Sequence, residues 1–283
     1  MIPEELQKKI DRSIKLLQSV GKRYDGVIEI AYSGGKDSDV ILQLAKEAGI
    51  KYEAIYKNTT IDPPGTIAHA KNMGATIIRP QLSFFQLVAK KGLPSRFRRF
   101  CCEKLKEYKV YDKAVIGVRK AESKARNDRY NEPTQCRWFG AKTETNHVEQ
   151  IMPILDWTDD DVLAFIQDRH ITLAPVYYDR GGQIDVTRRL GCMCCPLKSA
   201  KKRLQEFKDK PKMVRAYIRA AQKYLDTHKE TKSYAIYTDA YEWFARDVLF
   251  DNTQKWNDAN IGLFGKPNWK KELERIFGID LTL

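Results

Sequence analysis

Val27-Ile28-Glu29-Ile30-Ala31-Tyr32, then Ser33-Gly34-Gly35-Lys36-Asp37-Ser38, then Val40-Ile41-Leu42-Gln43-Leu44-Ala45, is the stretch that decides the fold. The first run is rich in β-branched residues and reads as a strand. The last has the apolar periodicity of a helix that ends near Gly49. Between them the glycines let the backbone approach an anion closely, so that N–H groups and the helix dipole can face phosphates. Lys36 adds a mobile cation and Ser33 and Ser38 add hydroxyls. The plainer alternative is an ordinary strand-to-helix turn, with Asp37 capping the helix.

The same alternation continues on either side. Tyr52 to Tyr56 reads as a strand, Pro64 to Met73 as a helix closed by Gly74, and Ala75 to Ile78 as another strand. Phe84 to Lys91 looks helical and Lys113 to Val118 is a further strand. Strands alternating with helices imply right-handed crossovers and an α/β fold with a doubly wound, mainly parallel sheet, whose ligands sit at the carboxyl ends of the strands. Leu6, Ile10, Ile14, Leu17 and Val20 place an amphipathic helix over residues 3 to 24, expected to pack across that sheet. Thr158 with Asp159, Asp160 and Asp161 starts another helix. After Cys195-Pro196 the sequence turns Lys-rich and helical. The division expected is a nucleotide-binding α/β domain with its N-terminal helix over 1–197 and a helical C-terminal extension over 198–283. The extension's aromatics, Tyr217, Tyr241, Trp243, Phe244, Trp256, Trp269 and Phe277, read as core or as a base-stacking platform.

Fifty Lys and Arg against thirty-seven Asp and Glu leave a net charge of +13, which suits a polyanion, nucleotide or nucleic acid, or simply solvated helical faces. No apolar run is long enough to span a membrane and the first residues are charged without an apolar stretch behind them, so a cytoplasmic protein with no membrane partner is expected. Six cysteines are too few for a disulfide scaffold, and their clustering suggests metal or redox chemistry.

Ser33 to Ser38 do not fit the P-loop spacing. They resemble instead the PP-loop (adenine nucleotide alpha hydrolase-like) superfamily of ATP pyrophosphatases, with its Ser-Gly-Gly-x-Asp-Ser fingerprint. The resemblance implies cleavage of ATP between its α and β phosphates, or binding of an adenylyl sulfate in the same place, with Asp37 near the phosphates and Mg2+. Gly117-Val118-Arg119-Lys120-Ala121-Glu122-Ser123, with Arg126 beyond it, is similar to the Gly-x-Arg-x-x-Glu-Ser segment of the phosphoadenylylsulfate reductase family. Arg119, Glu122, Ser123 and Arg126 thereby become candidates for the substrate end of the site, and Lys36, Asp37, Arg119 and Glu122 for catalysis. As isolated charges the same residues would be a solvated loop. Asp156-Trp157-Thr158, Pro175-Val176-Tyr177-Tyr178 and Arg189-Leu190-Gly191-Cys192 also look like that family, so the resemblance runs from about residue 27 to about 197.

Cys101-Cys102 together with Cys192 and Cys195 match the cluster-binding pattern of the assimilatory adenylylsulfate reductases, which implies a [4Fe-4S] cluster on four thiolates. Zinc and free thiols are the other readings. Arg96, Arg98, Arg99 and Lys104 would lower the thiol pKa values and offset the cluster's charge. The match breaks at one point: reductases of this family carry a later nucleophilic cysteine, and no cysteine follows Cys195 here. Three functions therefore compete. The first is adenylation of a nucleic acid acceptor for sulfur incorporation, with a cysteine desulfurase as donor. The second is a sulfonucleotide reductase that takes a thiol from Cys136, Cys194 or a partner such as thioredoxin. The third is a non-catalytic nucleotide or redox sensor. The four histidines fall in no motif and are read as surface or packing residues.

Overall fold

A computed structural model describes residues 2–237, 239–250 and 267–283. Trp256 lies outside the described residues. The chain forms two compact units, each with its own core. The first comprises Met1–Asn58, Asp62–Pro80 and Lys106–Gly191; the second comprises Thr59–Ile61, Gln81–Leu105 and Cys192–Leu283. The units therefore do not divide at residue 197, because Phe84 packs against Tyr217 with ring centroids 5.4 Å apart and carries its helix into the second core.

The first unit is built on six strands: β1 (Ile28–Tyr32), β2 (Tyr52–Lys57), β3 (Thr76–Ile78), β4 (Lys113–Val115), β5 (Thr134–Trp138) and β6 (His147–Ile151). Their order is β3-β2-β1-β4-β6-β5, parallel throughout except for the β5–β6 pair. Ile30 pairs with Ala54 on one side and Val115 on the other, and β1 is buried almost end to end, as a strand covered on both faces must be. The helix Glu4–Arg23 buries Leu6, Ile10, Leu17 and Val20, and Ser13 donates to the Pro153 carbonyl at 2.6 Å. From β1 the order runs outward to β2 and β3 on one side and to β4 on the other. The crevice at the carboxyl ends of β1 and β4 is thus the topological switch point. Ser33 to Ser38 leave β1 there, and Gly117 to Arg119 follow β4.

The β5–β6 hairpin is an addition that the apolar patterning does not announce. β5 is a half-exposed edge, and Gln135 is stitched to Gln150 by a side-chain hydrogen bond of 2.9 Å in place of apolar packing.

The second unit is helical. Phe207 lies 5.4 Å from Tyr217 and 5.2 Å from Phe244, centroid to centroid, in edge-on contacts, with Trp243 also buried. Of the two readings of the C-terminal aromatics, core packing holds for Tyr217, Trp243, Phe244 and Phe277. Among the described residues no helix is long and apolar enough to cross a membrane.

Candidate functional site

The helix Lys36–Ala48 starts at Gly35 with no side-chain cap, so its amide dipole is left facing the loop. Gly34 takes φ +75°, and a Cβ there would stand 2.8 Å from the Thr66 methyl, so the position needs glycine twice over. The Ser38 hydroxyl donates to the Gly35 carbonyl at 2.7 Å and lies 3.3 Å from the Ser33 hydroxyl, which tightens the turn. The Tyr177 hydroxyl accepts from the backbone N–H groups of Lys36 and Leu190, and burial pushes its pKa up to about 12.

A cavity of about 270 Å³ opens over this loop. Lys36, Arg126 and Arg189 supply its positive charge, Asp37 and Glu122 its negative. Lys36 pairs with Asp37 at 3.0 Å, and Glu122 pairs with Arg126 and accepts the Arg119 backbone N–H at 3.3 Å. Burial, and then the like charge of Arg189, lower the pKa of Arg126, so the site holds crowded cations that an anion would relieve. A second cavity of about 160 Å³ shares Ala31 and Ser33 with the first and continues past Tyr56 and Lys57.

Arg119 does not line either cavity. Its side chain is 1% exposed and its guanidinium is fully engaged: Nε donates to Asp37 at 2.7 Å, Nη2 to Asp159 at 2.6 Å and Nη1 to the Trp157 carbonyl at 3.3 Å. It positions Asp37 by fixing one carboxylate oxygen while Lys36 holds the other. Ser123 accepts from the Arg126 N–H at 3.3 Å and caps the helix Lys124–Arg129. Sequence reading assigned no role to Tyr177, Arg189 or Asp159, although the first two lie in quoted family-like segments.

Beneath the loop lies a buried group that no motif signals. Asp39, fully buried on the loop's own helix, takes hydrogen bonds from the Tyr32 hydroxyl and lies 3.0 and 3.1 Å from His69 Nε2. Burial raises the Asp39 pKa against the opposing pull of His69 and Tyr32. His69 is thus a bonded partner in the packing under the loop.

In the second unit, Cys101 and Cys102 open the helix Phe100–Leu105, and Cys192 and Cys195 flank a sharp turn. Cys194 takes φ +55°, unusual for a residue with a Cβ, and this turns its side chain into the core. Its N–H donates to Glu206 at 2.7 Å, its carbonyl accepts from the Tyr217 hydroxyl, and burial pushes its thiol up to about 12. The buried Arg203 clamps the following turn through the carbonyls of Pro196, at 3.0 Å, and Lys198, at 2.6 Å. Cys101, Cys102, Cys192 and Cys195 remain half-buried, and Cys136 is exposed on β5. A hydrogen bond from the Cys101 thiol to Cys102, then burial, then the charges of Cys102 and Cys192 raise the Cys101 pKa; burial, Cys192 and Cys102 raise that of Cys195. Among the described residues no three His, Cys, Asp or Glu side chains stand in a metal-holding group.

The profile of the phosphoadenosine phosphosulfate reductase domain matches residues 28–198, more than half of the chain. The chain belongs to that family. Comparison with curated proteins finds no match. Similar solved structures include an FMN adenylyltransferase from Candida glabrata, at 12% identity and a TM-score of 0.43 over 62% of this chain and 59% of that one. A phosphoadenylyl-sulfate reductase from Candida auris, in a phosphate complex, has 15% identity and a TM-score of 0.41 over 62% and 90%. The U34-tRNA thiolase NcsA from Methanococcus maripaludis, with its [4Fe-4S] cluster, has 14% identity and a TM-score of 0.39 over 79% and 80%. The chain spans about three fifths of the FMN adenylyltransferases it matches.

Proposed function

We propose that this chain binds ATP with its phosphates on the Ser33–Ser38 loop and adenylates an oxygen of a nucleic acid acceptor for sulfur incorporation. The observation that supports this most is the polar cavity over an uncapped helix start, where Lys36, Arg126 and Arg189 outnumber the carboxylates. In the reaction the acceptor oxygen attacks the α-phosphorus, the bond to the β-phosphate oxygen breaks and pyrophosphate leaves. A sulfur nucleophile from a donor such as a cysteine desulfurase then displaces AMP. Lys36 and the two arginines neutralise the charge that develops on the departing pyrophosphate. Asp37, held on one oxygen by Arg119, would help to hold the Mg2+ that accompanies the nucleotide. The nucleoside has room in the adjoining 160 Å³ cavity.

The half-buried thiols of Cys101, Cys102, Cys192 and Cys195 have the soft donor chemistry of an iron-sulfur site. A [4Fe-4S] cluster bound there would hold or pass sulfur. Cys194 is excluded from that set by its burial in the hydrophobic core.

The test is a product assay on anaerobically purified protein with labelled ATP, Mg2+, oligonucleotide, cysteine and a desulfurase. AMP and pyrophosphate are the expected products. The family match favours one second reading, a sulfonucleotide reductase served by a partner's thiol. Sulfite released from adenylyl sulfate with thioredoxin, and no ATP cleavage, would select it. Tight nucleotide binding with neither product would select a sensor.

A further inference from the structure

Phe97 is 100% exposed, the most exposed large apolar side chain among the described residues. It does not dangle from a loose segment. Ser95 N–H donates to the Arg98 carbonyl at 3.2 Å and Arg98 N–H donates to the Ser95 hydroxyl at 3.1 Å, so the turn Ser95–Arg98 is closed on itself. Leu93 and Pro94 before it and Phe100 after it are buried, which anchors both ends. The turn therefore presents one aromatic face to solvent in a fixed place.

Its surroundings are cationic. Arg96, Arg98 and Arg99 flank Phe97 in the sequence and are all exposed. Arg96 is steadied by the Lys198 carbonyl at 3.3 Å, which brings it beside the start of the helix Ala200–Asp209, where Lys201 and Lys202 are exposed. Glu103, the one acidic residue from 90 to 105, is already paired with Lys104 at 2.7 Å. A fully exposed aromatic ring on a closed turn among cations suits a chain of alternating planar rings and phosphates. The rings of a duplex are already stacked on each other, so only an unpaired strand can offer a face.

We propose that the Ser95–Arg98 turn is a docking site for single-stranded nucleic acid, with one base stacked on Phe97 and the neighbouring phosphates on Arg96 and Arg98. This rests on the reading above that the acceptor is a nucleic acid, and it narrows the acceptor to an unpaired segment delivered beside Cys101 and Cys102. A membrane surface is the less fitting partner, because the turn exposes a single apolar side chain and no amphipathic face.

The experiment is fluorescence anisotropy with the full chain and labelled 20-nucleotide oligo(U), oligo(dT) and a blunt duplex. Phe97→Ala is expected to weaken single-strand binding about tenfold, within the range expected for a lost base stack, and to leave duplex binding unchanged. Phe97→Trp should keep the affinity, with its indole emission quenched by the strand. Arg98→Ala should reduce the slope of log affinity against log salt by about 0.7. A preference between oligo(U) and oligo(dT) tells RNA from DNA. Wild-type affinity in Phe97→Ala, or loss of phosphatidylserine-vesicle binding with oligonucleotide binding intact, overturns the site. ATP cleavage to AMP is measured separately: if it is present while Phe97→Ala is silent, only this docking site falls.

Discussion

In the first unit, Ser33 to Ser38 arrive as one contiguous stretch between a strand and a helix, and neighbouring backbone groups complete the phosphate loop. In the second, the thiols come from the helix Phe100–Leu105 and from the 192–195 turn, and they depend on Arg203, Glu206 and Tyr217 to hold that turn. The loop itself is written locally, whereas the proposed thiol site draws on segments far apart in the sequence. The first leaves an uncapped helix start facing its cavity, whereas the second leaves its sulfurs half-buried. The loop's backbone turn should survive damage elsewhere in the chain, although its Asp37 leans on Arg119, and the proposed thiol site should fail when any single contributor is lost.

The largest expected effect is on the assembled site. Anaerobic protein should carry about four irons and absorb near ~400 nm. Cys101→Ala and Cys195→Ala should each abolish that absorbance and most of the iron, while Cys194→Ala should retain both. Iron retained in Cys195→Ala, or lost in Cys194→Ala, would show that the turn uses its thiols the other way round.

Next comes the hidden support of the local site. Arg119→Ala removes the partner of Asp37 from a nearly dry position and should cost about 3 kcal/mol by urea unfolding, the low end for a broken buried pair because Asp159 is half exposed. Nucleotide binding should weaken with it. Arg119→Lys should not restore either property, since an ammonium cannot reach two carboxylates and a carbonyl in one plane. Equal binding in the Arg119→Ala protein would mean that Asp37 needs no positioning.

A smaller effect is expected from Asp39. Its pKa is raised by burial in the folded state, so between the unfolded value near ~3.9 and that higher value the native protein binds more protons than the unfolded chain. Stability contributed there falls as pH rises through the window, by at most about 1.4 kcal/mol per pH unit. Asp39→Asn removes the titration and should flatten that decline in urea midpoints measured from pH 4 to pH 8. An unchanged slope would place the titration elsewhere.

The contrast between local and assembled also explains what the sequence makes legible. The loop, its strand and its helix are readable because period-two and period-3.6 patterns meet at a glycine turn. Strand β5 is not, since its Gln135 and Arg137 take the place of inward apolar residues and its outer face is exposed. The role of Arg119 as a strut is invisible because its partners, Asp37, Trp157 and Asp159, come from other segments. The same holds for His69, whose partner Asp39 belongs to another helix. The helix Phe84–Lys91 looks like one more crossover of the sheet until Phe84 meets Tyr217.

The smallest effect expected is at Cys136, which separates two of the functional readings. It sits exposed on the edge strand β5, and Cys136→Ser should change stability by less than about 0.5 kcal/mol, as surface substitutions do. If a partner or a cluster handles sulfur, turnover should be unchanged as well. If this chain reduces a sulfonucleotide with its own thiol, Cys136 is the accessible one outside the proposed ligand set, because Cys194 is buried and its thiol is held protonated by its surroundings. Loss of sulfite formation in Cys136→Ser, with iron content and unfolding midpoint intact, would therefore move the chemistry away from the assembled site and onto the edge of the sheet.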